Sequence, residues 1–281
     1  MTKHFGVRTF LEVPEKHMSK FIAAMDHSGG STGGVLERYG QEYTEADKMD
    51  KVHAMRMRMI STPSFNSKNI WASILYKDSV DRGLAVILNA KDIQPYLKID
   101  SGCNEDGTLK QFPVKQMIEY AIKHECRGTK MRSIIKDESM IVPVLLQQFA
   151  LARVIHSNKL MPIIEPEIPI DHPKKRSLEI MLKEQLANYL ATYDGECILK
   201  LTLPDIKDLY LELTTYKQCH SIVGLSGGYS TEEACKRLSN NPCMSASFSR
   251  ALSEGLFANQ TEAEFENRIG ENISLIKRSC E

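Results

Sequence analysis

Short apolar runs recur along the chain, and most are followed by a segment whose apolar positions return with a helical period. The runs at 21–25, 71–76, 94–100, 129–135, 161–168, 197–203, 221–226 and 244–249 are mostly too short for helices. They are bounded by Gly, Pro or polar turns and predict eight strands. Between them, Leu178, Met181, Leu182, Leu186, Tyr189 and Leu190 share a helical face, with Pro173 near its start and Gly195 just past its end. Met49, Val52, Met55 and Met59 make a second stripe, opened by Thr44 with Asp47 three residues on. Ser230 with Glu233, and Thr261 with Glu264, have capping-box spacing at the start of the last helices.

Strands alternating with helices, with no Gly/Ser/Pro linker tract, predict an α/β fold: a single (β/α)8 TIM barrel over residues 1–281. Residues 1–20 read as an N-terminal extension and 261–281 as a C-terminal helix, and the stretch between the first two strands is a further addition. An open doubly wound sheet is the competing arrangement, disfavoured because no G-x-G-x-x-G follows any predicted strand.

Composition narrows the function classes. Lys and Arg number 36, Asp and Glu 36, so the formal net charge is zero and neither a basic excess nor a basic tail suggests nucleic acid or an acidic membrane. No apolar run approaches the roughly 18 residues of a membrane span. The N-terminus lacks a signal-peptide core. Seven cysteines without a Cys-x-x-Cys pair fit reduced thiols in a cytoplasmic protein. Eight histidines without His-x-His or His-x-x-x-His spacing give no reason to expect a metal, and no cofactor is expected.

Charged residues interrupt the predicted strands at one end, the end that forms the mouth of such a barrel. Asp26 ends the first strand and Lys98 with Asp100 the third; Lys130 and Arg132 lie in the fourth, Glu165 and Glu167 in the fifth, Lys200 in the sixth. Ser226-Gly227-Gly228 closes the seventh and Arg250 follows the eighth. The pairs Lys98/Asp100, Lys130/Arg132 and Glu165/Glu167 are each spaced i, i+2, so each pair faces one side of its strand. Facing inward they make a polar layer above an apolar plug; facing outward they would lie dry beneath helices, which costs far more.

Lys200 is the sharpest candidate, because the run Cys197 to Leu203 offers a lysine no structural task that leucine would not perform better. Desolvation and a nearby cation such as Lys130 would supply the free amine that an imine-forming lysine needs, with Glu165 and Asp26 as proton carriers. The alternative is an interior ion pair with Glu165 or Glu167. Ser28-Gly29-Gly30-Ser31 and Ser226-Gly227-Gly228 are glycine-rich turns able to cradle phosphate, the second with Arg250 beside it.

From Phe21 to Glu262 the chain resembles the class I (Schiff-base) fructose-bisphosphate aldolases, in their short bacterial form. The resemblance is carried by Ala24-Met-Asp-His-Ser-Gly-Gly-Ser-Thr32, Leu97-Lys-Ile-Asp100, Gly128-Thr-Lys-Met-Arg-Ser133 and Pro162-Ile-Ile-Glu-Pro-Glu167. Leu199-Lys-Leu-Thr202, Leu225-Ser-Gly-Gly-Tyr-Ser230 and Ala246-Ser-Phe-Ser-Arg-Ala251 complete it. It implies Lys200 as the Schiff-base lysine, Glu165 as its proton-transfer partner, and Asp26 as the carboxylate assisting cleavage at the 4-hydroxyl. Lys130 would stabilise developing charge, with Glu167 its carboxylate neighbour. Substrate contacts would come from Lys98, Arg132, Ser28 and Ser31, and 1-phosphate contacts from Ser226, Gly227, Gly228 and Arg250.

The implied activity is metal-independent, reversible cleavage of fructose 1,6-bisphosphate to dihydroxyacetone phosphate and glyceraldehyde 3-phosphate. The alternatives are another phosphosugar, such as tagatose 1,6-bisphosphate or fructose 1-phosphate, and a catalytically idle binding barrel. The oligomeric state stays open. Animal-type relatives end in a tyrosine, where this chain ends Arg278-Ser279-Cys280-Glu281. They also carry a basic pair after the first-strand loop, where this chain has Gly33-Gly34-Val35, with Arg38 later.

Overall fold

The structure, a computed structural model, describes residues 19–28 and 30–281. Strands β1 Phe21–Met25, β2 Ile70–Leu75, β3 Gln94–Lys98, β4 Gly128–Ile134, β5 Met161–Glu167, β6 Cys197–Thr202, β7 Cys219–Leu225 and β8 Met244–Phe248 pair in sequence order. All pairs are parallel, and β1 returns to β8 to close the barrel. The helices are α1 Gly30–Arg38, α2 Lys48–Ser61, α3 Lys77–Asp81, α4 Leu84–Ala90 and α5 Val114–Lys123 in the first half. The second half has α6 Ile141–Ser157, α7 Lys175–Thr192, α8 Thr231–Ser239, α9 Arg250–Ser253 and α10 Glu262–Ser279. The expected eight-stranded barrel is therefore the fold, and α1 and α2 fill the addition between the first two strands.

Strands buried on both faces explain the near-continuous apolar runs. One face of the strands, with Leu97, Met131, Ile164, Leu199 and Leu201, packs in a cluster with helical side chains such as Leu145, Phe149, Leu182 and Leu186. A separate cluster inside the barrel contains Ile22, Ala24, Ile74, Tyr96, Ile163, Ile198 and Val223. The same inward positions continue two residues further along as Asp26, Lys98, Glu165 and Lys200, so the apolar plug gives way to charge toward the mouth.

Local signals mostly hold. Thr261 and Glu264 form a reciprocal capping box on α10, and the Ser230 side chain accepts from the Glu233 N–H to cap α8. In α7, Leu178, Leu182, Leu186 and Leu190 are buried, while Met181 and Tyr189 are half-buried. Thr44 and Asp47 also bond reciprocally, but around a turn that precedes α2 rather than on its first residue. Predicted strand three runs to Asp100, whereas the ladder stops at Lys98. Beyond it the Asp100 side chain accepts from the Arg132 and Gly102 N–H groups, and the chain turns away. All seven cysteines are free thiols.

At the closed end of the barrel, Gly128 leaves room for the Tyr96 ring, which meets Trp71 edge-on at 6.1 Å. A Cβ at position 128 would lie 2.5 Å from Tyr96 Cε1 and closer still to the Met161 carbonyl oxygen. Because that oxygen belongs to a strand backbone, it cannot yield cheaply. Gly128→Ala is expected to lower unfolding stability by about 2–3 kcal/mol, read from the urea midpoint at unchanged m-value.

Candidate active site

The mouth of the barrel encloses a cavity of about 880 Å³, lined by residues from the C-terminal ends of the strands and the loops that follow them. Its floor is a chain of ion pairs. Lys130 Nζ lies 2.6 Å from Asp26 Oδ2 and 3.0 Å from Glu165 Oε2, and Lys200 Nζ lies 3.0 Å from Glu165 Oε1. Lys130, Glu165 and Lys200 are each at most 4% exposed. Strands β1, β4, β5 and β6 thus bring one carboxylate between two ammonium groups, with a second carboxylate beyond. The buried Gln148 of α6 accepts from the Glu165 N–H at 3.1 Å, pinning the strand behind this carboxylate.

The environment separates the groups electrostatically. Burial opposes ionisation of Asp26, but Lys130 and then Lys200 hold its carboxyl well below the usual carboxylate range. Burial also opposes the charge on Lys130, yet Asp26 and Glu165 overcome it and raise the ammonium pKa. Around this core, Arg132 Nε donates to Glu167 Oε2 at 2.6 Å and Lys98 Nζ to Asp100 Oδ1 at 2.9 Å.

The phosphate-cradle candidates occupy one side of the mouth. The turn after β7 needs positive φ at Gly227 and Gly228, +56° and +118°, which only glycine adopts without strain. Arg250 Nη1 donates to the Gly228 carbonyl at 3.1 Å. Ser226 is buried at the edge of the same cavity, and Ser28 lines it from the β1 side. Gly29 and the side chain of Ser31 lie outside the described residues. The structure therefore brings Asp26, Ser28, Lys98, Lys130, Arg132, Glu165, Glu167, Lys200, Ser226, Gly227, Gly228 and Arg250 to one cavity.

Three contributors escaped the sequence reading. His27 bonds through Nε2 to Ser249 Oγ at 2.6 Å, linking the ends of β1 and β8. Arg56 of α2, 1% exposed, donates to the His27 carbonyl and to Ser79 Oγ, both at 2.7 Å. A signal for Arg56 existed, since it falls on the face of Val52, Met55 and Met59, where a surface arginine does not belong.

Fold and charge layout together define a barrel enzyme that works through a lysine amine, a lyase of the Schiff-base class. No family model matches the chain. It is 41% identical over 275 residues to the "Fructose-bisphosphate aldolase class 1" of Synechocystis sp., covering 91% of this chain and 92% of that protein. The protein of the same description from Clostridium acetobutylicum is 40% identical over 275 residues, covering 91% and 93%. Among solved structures, the Plasmodium falciparum fructose-bisphosphate aldolase superposes with a TM-score of 0.74 at 19% identity, covering 93% of this chain and 90% of that one. An archaeal fructose 1,6-bisphosphate aldolase shares the fold at a TM-score of 0.58 and 9% identity, covering 92% and 95%. The chain belongs to the class 1 fructose-bisphosphate aldolases.

The His27 ring carries a pH consequence. Burial, with the cations Arg56, Arg38 and Lys200, lowers its pKa from 6.5 to about 4, against the pull of Asp26. As pH falls from 6.5 toward 4, the unfolded chain gains a proton at His27 that the folded chain refuses, so stability falls with pH in that window. His27→Gln is expected to flatten the decline, measured as urea midpoint against pH. The depressed Asp26 acts only below its ordinary value of 3.8, whereas His53 and His220, also held below 6.5 by burial, add to the decline, so the His27 variant removes part of it.

Proposed function

We propose that this chain cleaves fructose 1,6-bisphosphate reversibly into dihydroxyacetone phosphate and glyceraldehyde 3-phosphate, through an imine on Lys200. The observation that carries the reading is the Lys200 amine, 4% exposed and 3.0 Å from Glu165 in the mouth cavity. The amine attacks the C2 carbonyl carbon and a C–N bond forms. Glu165 relays two protons from the lysine nitrogen, which begins as an ammonium, to the former carbonyl oxygen: the first makes the carbinolamine hydroxyl and the second lets it leave as water, so the nitrogen ends as a protonated imine. Asp26 accepts the proton of the 4-hydroxyl. The C3–C4 bond then breaks, and its electron pair moves into the protonated imine to give an enamine.

Lys130, bridging Asp26 and Glu165, offsets the charge that shifts between them. Glu167 fixes Arg132 at the rim, and Lys98 stands ready with Arg132 for substrate oxygens. Ser226, Gly227, Gly228 and Arg250 take the 1-phosphate, with Ser28 and Ser31 as polar contacts in the first-strand loop. One barrel domain carries the whole reaction. A cytoplasmic setting accords with seven free thiols and with a glycolytic family.

Borohydride with dihydroxyacetone phosphate is expected to label Lys200, with the adduct located by peptide mapping. Lys200→Met is expected to abolish the label and lower kcat by at least about 10⁴; a label surviving that change refutes the assignment. Glu165→Gln is expected to lower kcat by about 10²–10⁴, measured by coupled assay of product. Activity should persist in EDTA, and loss restored by a divalent ion would point to different chemistry.

A further inference from the structure

Glu165 and Lys200 sit on neighbouring strands whose backbone pairing stops below them. β5 and β6 pair only at Ile163 with Ile198 and Ile164 with Leu199, so both side chains lie just beyond the ladder. On their other sides the same strands are held further up. β4 pairs with β5 as far as Ile134 with Glu167, and β6 with β7 as far as Thr202 with Leu225.

Two prolines account for the early stop. Met161 donates to the Arg127 carbonyl and Ile135 to the Glu167 carbonyl, so the odd-numbered residues of β5 bond toward β4. The even-numbered ones, among them Pro166 and then Ile168, turn their backbone groups toward β6. On β6, Cys197 donates to the Gln218 carbonyl, which puts Pro204 on the β5 side by the same alternation. Continued at its register, the ladder would call on the N–H of Pro166 and later on that of Pro204, and proline has none.

Thr202 spans the gap. By strand alternation its side chain shares the inward face of β6 with Ile198 and Lys200. The hydroxyl donates to the Ile168 carbonyl at 2.7 Å and accepts from the Ile168 N–H at 3.0 Å. Both residues are buried, so water does not take over either bond cheaply. The reactive pair is therefore bracketed, by the ladder below and by this hydroxyl above.

We infer that Thr202 is a positioning residue for the imine chemistry: its clamp on Ile168 keeps the Lys200 amine 3.0 Å from Glu165. The inference rests on the aldolase reading, in which Glu165 relays protons from the lysine nitrogen. Such a relay needs hydrogen-bond reach, and a misplacement of about 1 Å can cost about 100-fold in rate. Thr202 lies outside the lining of the mouth cavity, so losing its hydroxyl acts on the rate of chemistry rather than on substrate affinity.

The test uses Thr202→Val, which keeps the shape and removes the hydroxyl, and Thr202→Ser, which keeps the hydroxyl. Excess borohydride traps each imine as it forms on dihydroxyacetone phosphate, so the labelling rate reads imine formation directly. Thr202→Val is expected to lower that rate and kcat by about tenfold or more, with KM for fructose 1,6-bisphosphate within about twofold of wild type. Thr202→Ser should recover most of the loss. Thr202→Ala gives the same reading if the valine variant does not fold. Gly128→Ala, destabilised at the closed end, controls for stability alone and should label at the wild-type rate. Wild-type rates without the hydroxyl, an equal loss in Thr202→Ser, a loss confined to KM, or the same loss in Gly128→Ala each overturns the inference. In all four cases the wild type still labels and the aldolase reading stands; if the wild type does not label, that reading fails and takes the inference with it.

Discussion

The site depends on one carboxylate, Glu165, whose two oxygens face two buried ammonium groups at 3.0 Å each. Removing a charge from water costs several kcal/mol even after relaxation, and four such groups sit in one layer here. They are tolerable because they alternate in sign: Asp26, Lys130, Glu165, Lys200. The alternation requires β1, β4, β5 and β6 to present these residues at one height, and the closed barrel fixes that height. It also suits the chemistry. A proton passing from Lys200 to Glu165 leaves the net charge of the layer unchanged, and a protonated imine restores the positive charge the lysine had. The reaction can therefore move charge within the layer without having to bury more of it.

The same physics made much of this legible in advance. A parallel strand buried on both sides must be apolar nearly throughout, so a lysine or glutamate within one stands out. Lys200 amid Leu199 and Leu201, and Glu165 between Ile164 and Pro166, carried that contrast. The barrel followed from eight such runs with helices between them. Boundaries were less readable where a side chain captures backbone donors, as Asp100 does beyond the last paired residue of β3.

What escaped belongs mostly to the added helices and the loops beside them. Arginines on helices usually keep their heads in water while their stems cover apolar surface, so residue type says little of Arg38, and Arg56 is marked only by its place on the apolar face of α2. Their burial and direction depend on where α1 and α2 lie against the barrel, and no strand period encodes that. The His27–Ser249 bond joins residues 222 positions apart, each unremarkable in its own segment.

These less legible contacts fall at one of the two shortest ladders of the barrel, the other being β5 with β6. The β1–β8 seam is paired through only Ile22 with Ser247 and Ala23 with Phe248, whereas β4 and β5 pair from Gly128 to Ile134. Asp26 lies one residue past the β1–β2 ladder, which runs to Met25 with Leu75, and three past the β1–β8 pairs, so the barrel sets its height and side-chain contacts steady it on the β8 side. Arg56 supplies the restraint by gripping the His27 carbonyl, one residue on, while the His27 ring reaches Ser249 next to Arg250. A bond between side chains therefore sets the spacing between the acid/base layer and the phosphate turn. The added segment between β1 and β2 is in this sense part of the active site: α2 holds the seam, and α1 carries the Arg38 guanidinium to the mouth.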